Sequence, residues 1–454
     1  MTTIARIHTN FQSGQDTVNA LVARQIDAVS DANGEGSRAF LSLNAQAVRE
    51  AATHSQKRID DGSARPLEGI TVSIKDLLDV AGEVTGAGST VLRSRAPAAE
   101  DAPVVARLRA AGAIPFGRTN MVEFAYSGVG INPHFGTPRS PWGRSADGGG
   151  RVPGGSSSGA GVSVADGMCV AALGTDTGGS VRIPAAFNGL TGFKPTAIRV
   201  PVLGGIPLSV THDSIGPLAQ SVACCAVLDA VLSGERSESP PRADLRGVRF
   251  LKPQAPVWRE LDPEVESATL AAVDALRRAG AQVIEATLPP LDALLNRTGS
   301  LLAAEALDWH SNNINVNGVG YDPRVWQRMQ LGRDVTRGQY SAALAYRRFW
   351  IDEMNMALAD FDAVICPTVA CIAPEIAPLI ASDELFFKTN ARILRNTAWV
   401  NFMDGCALTM PCHAHGTAPV GLQLVGRHGS DHALLALSAA VEATLAIAIG
   451  KLPS

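Results

Sequence analysis

Two Gly/Ser-rich stretches separated by a run of small residues constrain this chain more than any other feature. The first is Gly148-Gly-Gly-Arg-Val-Pro-Gly-Gly-Ser-Ser-Ser158, and the second is Gly174-Thr-Asp-Thr-Gly-Gly-Ser180. Alone, the first reads as a flexible linker between domains. The segment between them, Gly159 to Leu173, is small and apolar and suits a tightly packed element. A linker is not followed by a second Gly/Ser turn at the end of an apolar run. The two stretches are therefore read as turns of one packed structure.

Turns of this composition can hold an anion in their backbone N–H groups. Neither contains the Gly-Lys-Ser/Thr of a phosphate-binding loop, nor a G-x-G-x-x-G opening a helix, so a nucleotide site is disfavoured. The other chemistry is nucleophilic. Gly178-Gly-Ser180 is a tight turn ahead of a predicted helix, Val181 to Asn188. Such a turn exposes a serine hydroxyl and aims backbone N–H groups at the point where an oxyanion forms in acyl transfer.

A serine nucleophile needs a base. None of the nine histidines stands in a recognisable arrangement with Ser180. His428 and His432 are spaced i, i+4 without the glutamate that a zinc peptidase helix requires, and His413 and His415 carry no better pattern, so no metal and no cofactor is expected. Lys75 is the alternative. It ends the β-branched run Gly69-Ile-Thr-Val-Ser-Ile-Lys75, which reads as a buried strand. A lysine drawn into that core is desolvated, which lowers its pKa and makes a usable neutral base. A strand-end lysine that reaches out to water has the same signature.

Periodicity predicts helices over Thr17–Val29, Ala45–Asp61, Asp101–Ala111, Thr119–Tyr126, Glu264–Ala279, Leu301–Asn315, Tyr340–Ala359 and Asp431–Ile449. Strands are expected at Gln282–Glu285, Ala363–Cys366 and Pro419–Gly426, and an exposed connection at Ser233–Ala243. This mixture points to a layered α/β fold. With 39 Lys plus Arg against 43 Asp plus Glu, the net charge is −4, so no basic excess points to nucleic acid or an anionic membrane. No apolar run approaches the roughly 18 residues of a membrane span. The first residues, MTTIARIHTNFQSG, lack the apolar core of a secretory signal. The seven cysteines include no CxxC and sit mostly in apolar runs. A cytoplasmic protein with buried thiols is the expectation.

Together these segments resemble the amidase signature family of serine hydrolases. The resemblance rests on Val72-Ser-Ile-Lys-Asp76, Pro153-Gly-Gly-Ser-Ser-Ser-Gly159 and Gly174-Thr-Asp-Thr-Gly-Gly-Ser-Val-Arg-Ile-Pro184, with Ser156 and Ser180 24 residues apart. Supporting blocks are Thr119-Asn-Met-Val-Glu-Phe-Ala125, Gly192-Phe-Lys-Pro-Thr196, Asp213-Ser-Ile-Gly-Pro217 and Pro419-Val-Gly-Leu-Gln423. Three positions depart from the family pattern: an extra serine in Ser156-Ser-Ser158, Arg118 in place of a common lysine, and Ser140 where asparagine is usual.

The resemblance implies a Ser–cis-Ser–Lys triad with Ser180 as nucleophile, Ser156 as bridging serine on a cis bond after Gly155, and Lys75 as ultimate base. It implies oxyanion donors among the N–H groups of Thr177, Gly178, Gly179 and Ser180, with Asp176 and Arg182 fixing the turn. It further implies one large α/β/α domain over 1–454 with a mixed central sheet. In that domain a helical segment at 1–65 packs on a core at 67–230, and 233–360 forms a helical substrate-side region. Tyr126 and Trp142, with Phe135, Trp309 and Trp326, are candidate pocket aromatics. The implied reaction cleaves a C–N bond of a small amide, an aryl amide or a carbamate through an acyl-enzyme. Alternatives are the ammonia-releasing component of a tRNA-dependent amidotransferase (its A component) or of a multi-component amidase, which passes ammonia to a partner, and a catalytically inactive binding protein. Homodimers are common in the family.

Overall fold

Thr71–Lys75 is buried at every position, as a strand must be when helices cover both faces of its sheet. It is one of eleven strands in the computed structural model, which describes residues 3–145, 148–236, 244–294, 299–314 and 317–448. They are β1 Phe40–Ser42, β2 Thr71–Lys75, β3 Ile114–Thr119, β4 Ala171–Asp176, β5 Thr191–Lys194 and β6 Ser214–Ala219, then β7 Arg249–Pro253, β8 Gln282–Ala286, β9 Ala363–Pro367, β10 Cys406–Pro411 and β11 Gly421–Gly426. All join one sheet in the order β1-β3-β2-β4-β6-β5-β10-β11-β9-β7-β8. The sheet is mixed. β2 runs parallel to β3 and β4, whereas β4/β6, β5/β6, β5/β10, β10/β11 and β9/β11 are antiparallel.

Helices lie on both sides. Val18–Ser30 and Ala45–Asp60 begin at Thr17 and Asn44, whose side chains accept N–H bonds from Ala20 and Ala47. Such caps satisfy donors a helix start leaves open. Ser158–Ala165 packs against β2 and β4, and Asp431–Ala448 packs against β10 and β11. The small-residue run between the two Gly/Ser turns thus becomes a helix followed by β4. Its glycines are steric requirements: a Cβ on Gly159 would sit 2.2 Å from the Ala39 carbonyl oxygen.

Most expected elements appear within a few residues of their expected bounds. Three do not. Thr119–Tyr126 is not a helix: Thr119 ends β3 and only Glu123–Ala125 forms a 3-10 turn. Within it Phe124 and Ala125 take positive φ values of 49° and 62°. The cause is tertiary. The buried Glu123 carboxylate accepts from Ser89 Oγ at 2.7 Å and the Asp322 N–H at 2.7 Å and meets His134 Nε2 at 2.8 Å, which overrides local helix propensity. The stretch 233–360 is not wholly helical either, since β7 and β8 extend the sheet there. Of the expected connection Ser233–Ala243, residues 237–243 lie outside the described residues. No helix among the described residues is long and apolar enough to cross a membrane. All seven cysteines are free and buried.

Candidate active site

β2 and β4 lie side by side and parallel, with Ile74 paired to Leu173. Their C-terminal ends therefore emerge at the same edge of the sheet, the usual location for sites in parallel α/β folds. Lys75 ends β2, and Thr175 and Asp176 end β4. Lys75 does not reach solvent: it is 0% exposed. Its Nζ lies 2.7 Å from Ser156 Oγ, 2.7 Å from Thr175 Oγ1 and 3.5 Å from the Thr175 carbonyl. Burial pulls its pKa down to about 7 against the raising influence of the Asp176 and Asp213 carboxylates. A strand-end lysine that snorkels would keep its ordinary value, so packing decides what the sequence left open.

Ser156 follows a cis peptide bond from Gly155. Its carbonyl accepts the Val122 N–H at 3.0 Å, and the Gly155 N–H donates to the Gly128 carbonyl at 2.8 Å. A Cβ on Gly155 would come within 2.8 Å of the Gly130 nitrogen. The neighbouring serines have other partners. Ser157 Oγ donates to the Thr175 carbonyl at 3.4 Å, and Ser158 Oγ to the Asn120 carbonyl at 3.3 Å. Only Ser156 of the three meets Lys75. The Ser157 N–H donates to the Ser180 carbonyl at 3.3 Å and ties the two turns together.

Ser180 is 3% exposed and opens with Thr177 and Gly178 onto a cavity of about 620 Å³. Gly179 has φ +129°, and a Cβ there would lie 2.2 Å from Thr397 Oγ1. Its N–H donates to Asp176 Oδ1 at 2.8 Å. The Asp176 carboxylate thus sits under the turn and holds the Gly179 N–H, while Thr177, Gly178 and Ser180 are the turn residues facing the cavity.

Asp176 and Arg182 form a fully buried pair at 2.9 Å. Arg182 Nη1 also donates to Gln423 Oε1 at 2.7 Å and the Thr397 carbonyl at 3.1 Å, and Nη2 to Asn401 Oδ1 at 2.7 Å. Burial would raise the Asp176 carboxyl, but the Arg182 guanidinium outweighs it and holds it well below the carboxylate range. Asp213 is the second buried carboxylate. It accepts Thr177 Oγ1 at 2.5 Å and the N–H groups of Leu208 and Ser209 at 2.9 and 3.1 Å. Burial raises it to about 6 despite those bonds.

Of the candidate aromatics, Tyr126 lines the cavity, carried there by the left-handed turn before it. Trp142 does not. Its backbone N–H donates to Ser140 Oγ at 3.2 Å. Phe135 lies under Arg93, and Trp309 and Trp326 pack around His310 and Tyr321. The aromatic wall is instead Phe387, Trp399 and Phe402. Those three stand in helices Asp383–Leu394 and Ala398–Met403, where the sequence offers no pattern to distinguish lining from core. Arg328, Arg395 and His212 also line the cavity, and no sequence signal marks them. Nothing in their spacing relates them to Ser180, which lies between 32 and 215 positions away in the chain.

Comparison with known proteins places this geometry. The family model described as Amidase matches residues 20–435. The chain is 37% identical over 413 residues to 2-amino-5-chloromuconic acid deaminase of Comamonas testosteroni, covering 90% of this chain and 88% of that protein. It is 33% identical over 446 residues to the A component of the Glutamyl-tRNA(Gln) amidotransferase of Roseiflexus sp. (strain RS-1), covering 89% and 88%. A crystal structure of an amidase superposes with TM-score 0.85 at 32% identity, covering 97% of this chain and 99% of that one. Likeness of sequence and of fold runs over nearly the whole length, and the chain belongs to the amidase signature family of hydrolases acting on amides.

Proposed function

We propose that this enzyme hydrolyses a small amide that also carries a carboxylate, with Ser180 as nucleophile, Ser156 as relay and Lys75 as base. A neutral Lys75 takes the Ser156 proton as Ser156 takes that of Ser180, and Ser180 Oγ attacks the amide carbon. The oxyanion forms against the Thr177–Gly178 side of the turn. The relay returns a proton to the leaving amine, the C–N bond breaks, and water cleaves the acyl-enzyme by the same path. Asp176 and Arg182 hold the turn and do not touch substrate.

The carboxylate reading rests on one observation. Arg328 opens into the cavity that holds Ser180, and no carboxylate lines that cavity among the described residues. Its guanidinium contacts the Tyr126 carbonyl and lies 4.5 Å over the Tyr126 ring, and burial lowers its pKa. A buried guanidinium is stabilised most by a bidentate anion. The name of the Comamonas relative is that of an enzyme acting on an acid, which agrees with this reading.

A second reading has the same chemistry: an amidotransferase component that hydrolyses glutamine and passes ammonia to a partner, as the name of the Roseiflexus relative suggests. Glutamine also bears a carboxylate. The test is hydrolysis by the purified chain of succinamic acid, glutamine and propionamide, read as ammonia, and of an anilide and a carbamate, read as the released amine or ammonia, with Ser180→Ala as the blank. Succinamic acid should exceed propionamide in kcat/KM, and Arg328→Met should raise KM for succinamic acid by about 30-fold, the lower bound for removing one partner of a buried charge pair. Equal rates on both amides overturn the carboxylate reading. Turnover of glutamine alone, appearing only with a partner, favours the amidotransferase component. The small-amide substrate is thus the assigned partner. No nucleic acid, membrane or cofactor enters the reading, and a homodimer in the cytoplasm is its expected form.

A further inference from the structure

His212 stands on the wall of the cavity that holds Ser180, and the hydrogen bonds around it fix which ring nitrogen carries the proton. Glu305, on the helix Gly299–Asn313, has a carboxylate that only accepts. Its Oε2 takes Ser209 Oγ at 2.5 Å, Thr211 Oγ1 at 3.1 Å and the Thr211 N–H at 3.2 Å, while Tyr340 OH donates to Oε1 at 2.9 Å. At 2.5 Å the single Ser209 proton is committed to Glu305, which has none to give back. His212 Nδ1 lies 2.8 Å from Ser209 Oγ and 2.8 Å from Thr211 Oγ1. With the Ser209 oxygen able only to accept from the ring, that contact is a hydrogen bond only when Nδ1 carries a proton.

The ring is neutral, since burial, with the cations Arg347 and Lys194 nearby, lowers its pKa to about 3. A neutral imidazole protonated at Nδ1 has a bare lone pair at Nε2. Among the described residues nothing hydrogen-bonds Nε2, and His212 lines the cavity. The Phe402 ring lies 5.9 Å from the imidazole, centroid to centroid, and is no acceptor for a ring proton at Nδ1. The backbone is fixed as well: Asn401 Nδ2 donates to the His212 carbonyl at 3.3 Å and to the Asp176 carbonyl at 2.8 Å.

We propose that His212 determines specificity by accepting, through Nε2, a hydrogen bond from an N–H or O–H group of the bound amide. This rests on the amide-hydrolase reading above. Glu305 acts through it as a positioning residue, because it consumes the Ser209 proton that would otherwise be free to donate to Nδ1. A site built to accept a proton rejects analogues that lack the donor.

Two measurements test this. The first is the ¹⁵N spectrum of ring-labelled protein, which should show His212 protonated at Nδ1 and bare at Nε2, unchanged from about pH 5 to 8. A proton on Nε2 overturns the proposal. In Glu305→Gln the side-chain amide can donate to the hydroxyls, so the proton should move toward Nε2. The second is kcat/KM for succinamic acid, its 2-hydroxy derivative and monomethyl succinate, which differ in donors on the acyl chain and at the scissile bond. The enzyme should prefer a donor-bearing probe over its donor-free counterpart by roughly tenfold or more, and His212→Leu should erase that preference. Preferences unchanged by His212→Leu overturn the proposal. If the unmutated enzyme turns over none of the three, the substrate reading has failed, and the tautomer alone decides the role of His212.

Discussion

The Lys75 amine and the Ser156 hydroxyl sit 2.7 Å apart, both at 0% exposure. Burial brings the Lys75 pKa to about 7, so the pair works only when the amine has lost its proton. Turnover should therefore rise with pH by about a decade per unit below 7 and level off above it. A kcat/KM profile from about pH 5 to 9 checks this. A flat profile would remove lysine as the base.

Asp213 faces the same amine and raises its pKa. Asp213→Asn deletes that negative charge and leaves Asp176, Arg182 and Lys194 in place around the site. Lys75 should then lose its proton more readily, and the rising limb should move to lower pH. The shift of the limb separates this electrostatic effect from a simple loss of Thr177 anchoring, which would lower the plateau without moving the limb.

Ser180→Ala removes one oxygen at the cavity wall. Turnover should fall by on the order of a thousandfold or more, since loss of a nucleophile disables the whole relay. The urea unfolding midpoint should stay within experimental error, because no hydrogen bond from the Ser180 side chain to the described residues supports the turn.

Arg182→Met strands the Asp176 carboxylate in the core. Breaking a buried pair by removing one partner costs about 3–5 kcal/mol, measurable by urea unfolding at neutral pH. The sign with pH follows from the depressed Asp176 pKa. The stabilisation is full above the ordinary carboxylate value near 4 and is lost only as pH falls toward the folded value, so the gap between the two proteins should narrow in acid.

Gly179→Ala should be as harmful to activity as loss of the serine. The added methyl would collide with Thr397 Oγ1 at 2.2 Å, in a backbone conformation that L side chains rarely adopt. The check is turnover together with circular dichroism, which should show the fold retained and activity gone.

What is legible in the sequence lies close together in the chain. Lys75, Ser156 and Ser180 each end or follow a short, strongly patterned segment, and the resemblance of those segments to one family supplies their roles. The Glu123–Ala125 turn escapes local rules because a buried carboxylate with partners from three distant segments outweighs helix propensity. The cavity wall is illegible for a similar reason. Trp399 and Trp142 are equally aromatic, and only the path of the chain brings Trp399 and not Trp142 beside Ser180. The tautomer of His212 depends on Glu305, 93 positions away, and no spacing rule connects them. The family resemblance implies Gly179 as an oxyanion donor, whereas its N–H is held by Asp176.

The reach of Arg182 bears on how this enzyme comes into being. Its side chain grips Thr397, Asn401 and Gln423, which lie 215, 219 and 241 positions further along. A ribosome adding about 5–20 residues per second will have made Lys75, Ser156 and Ser180 many seconds before those partners emerge. Until they do, only the local contacts to Asp176 hold the turn, and the distal half of the Arg182 clamp is completed only with the last strand.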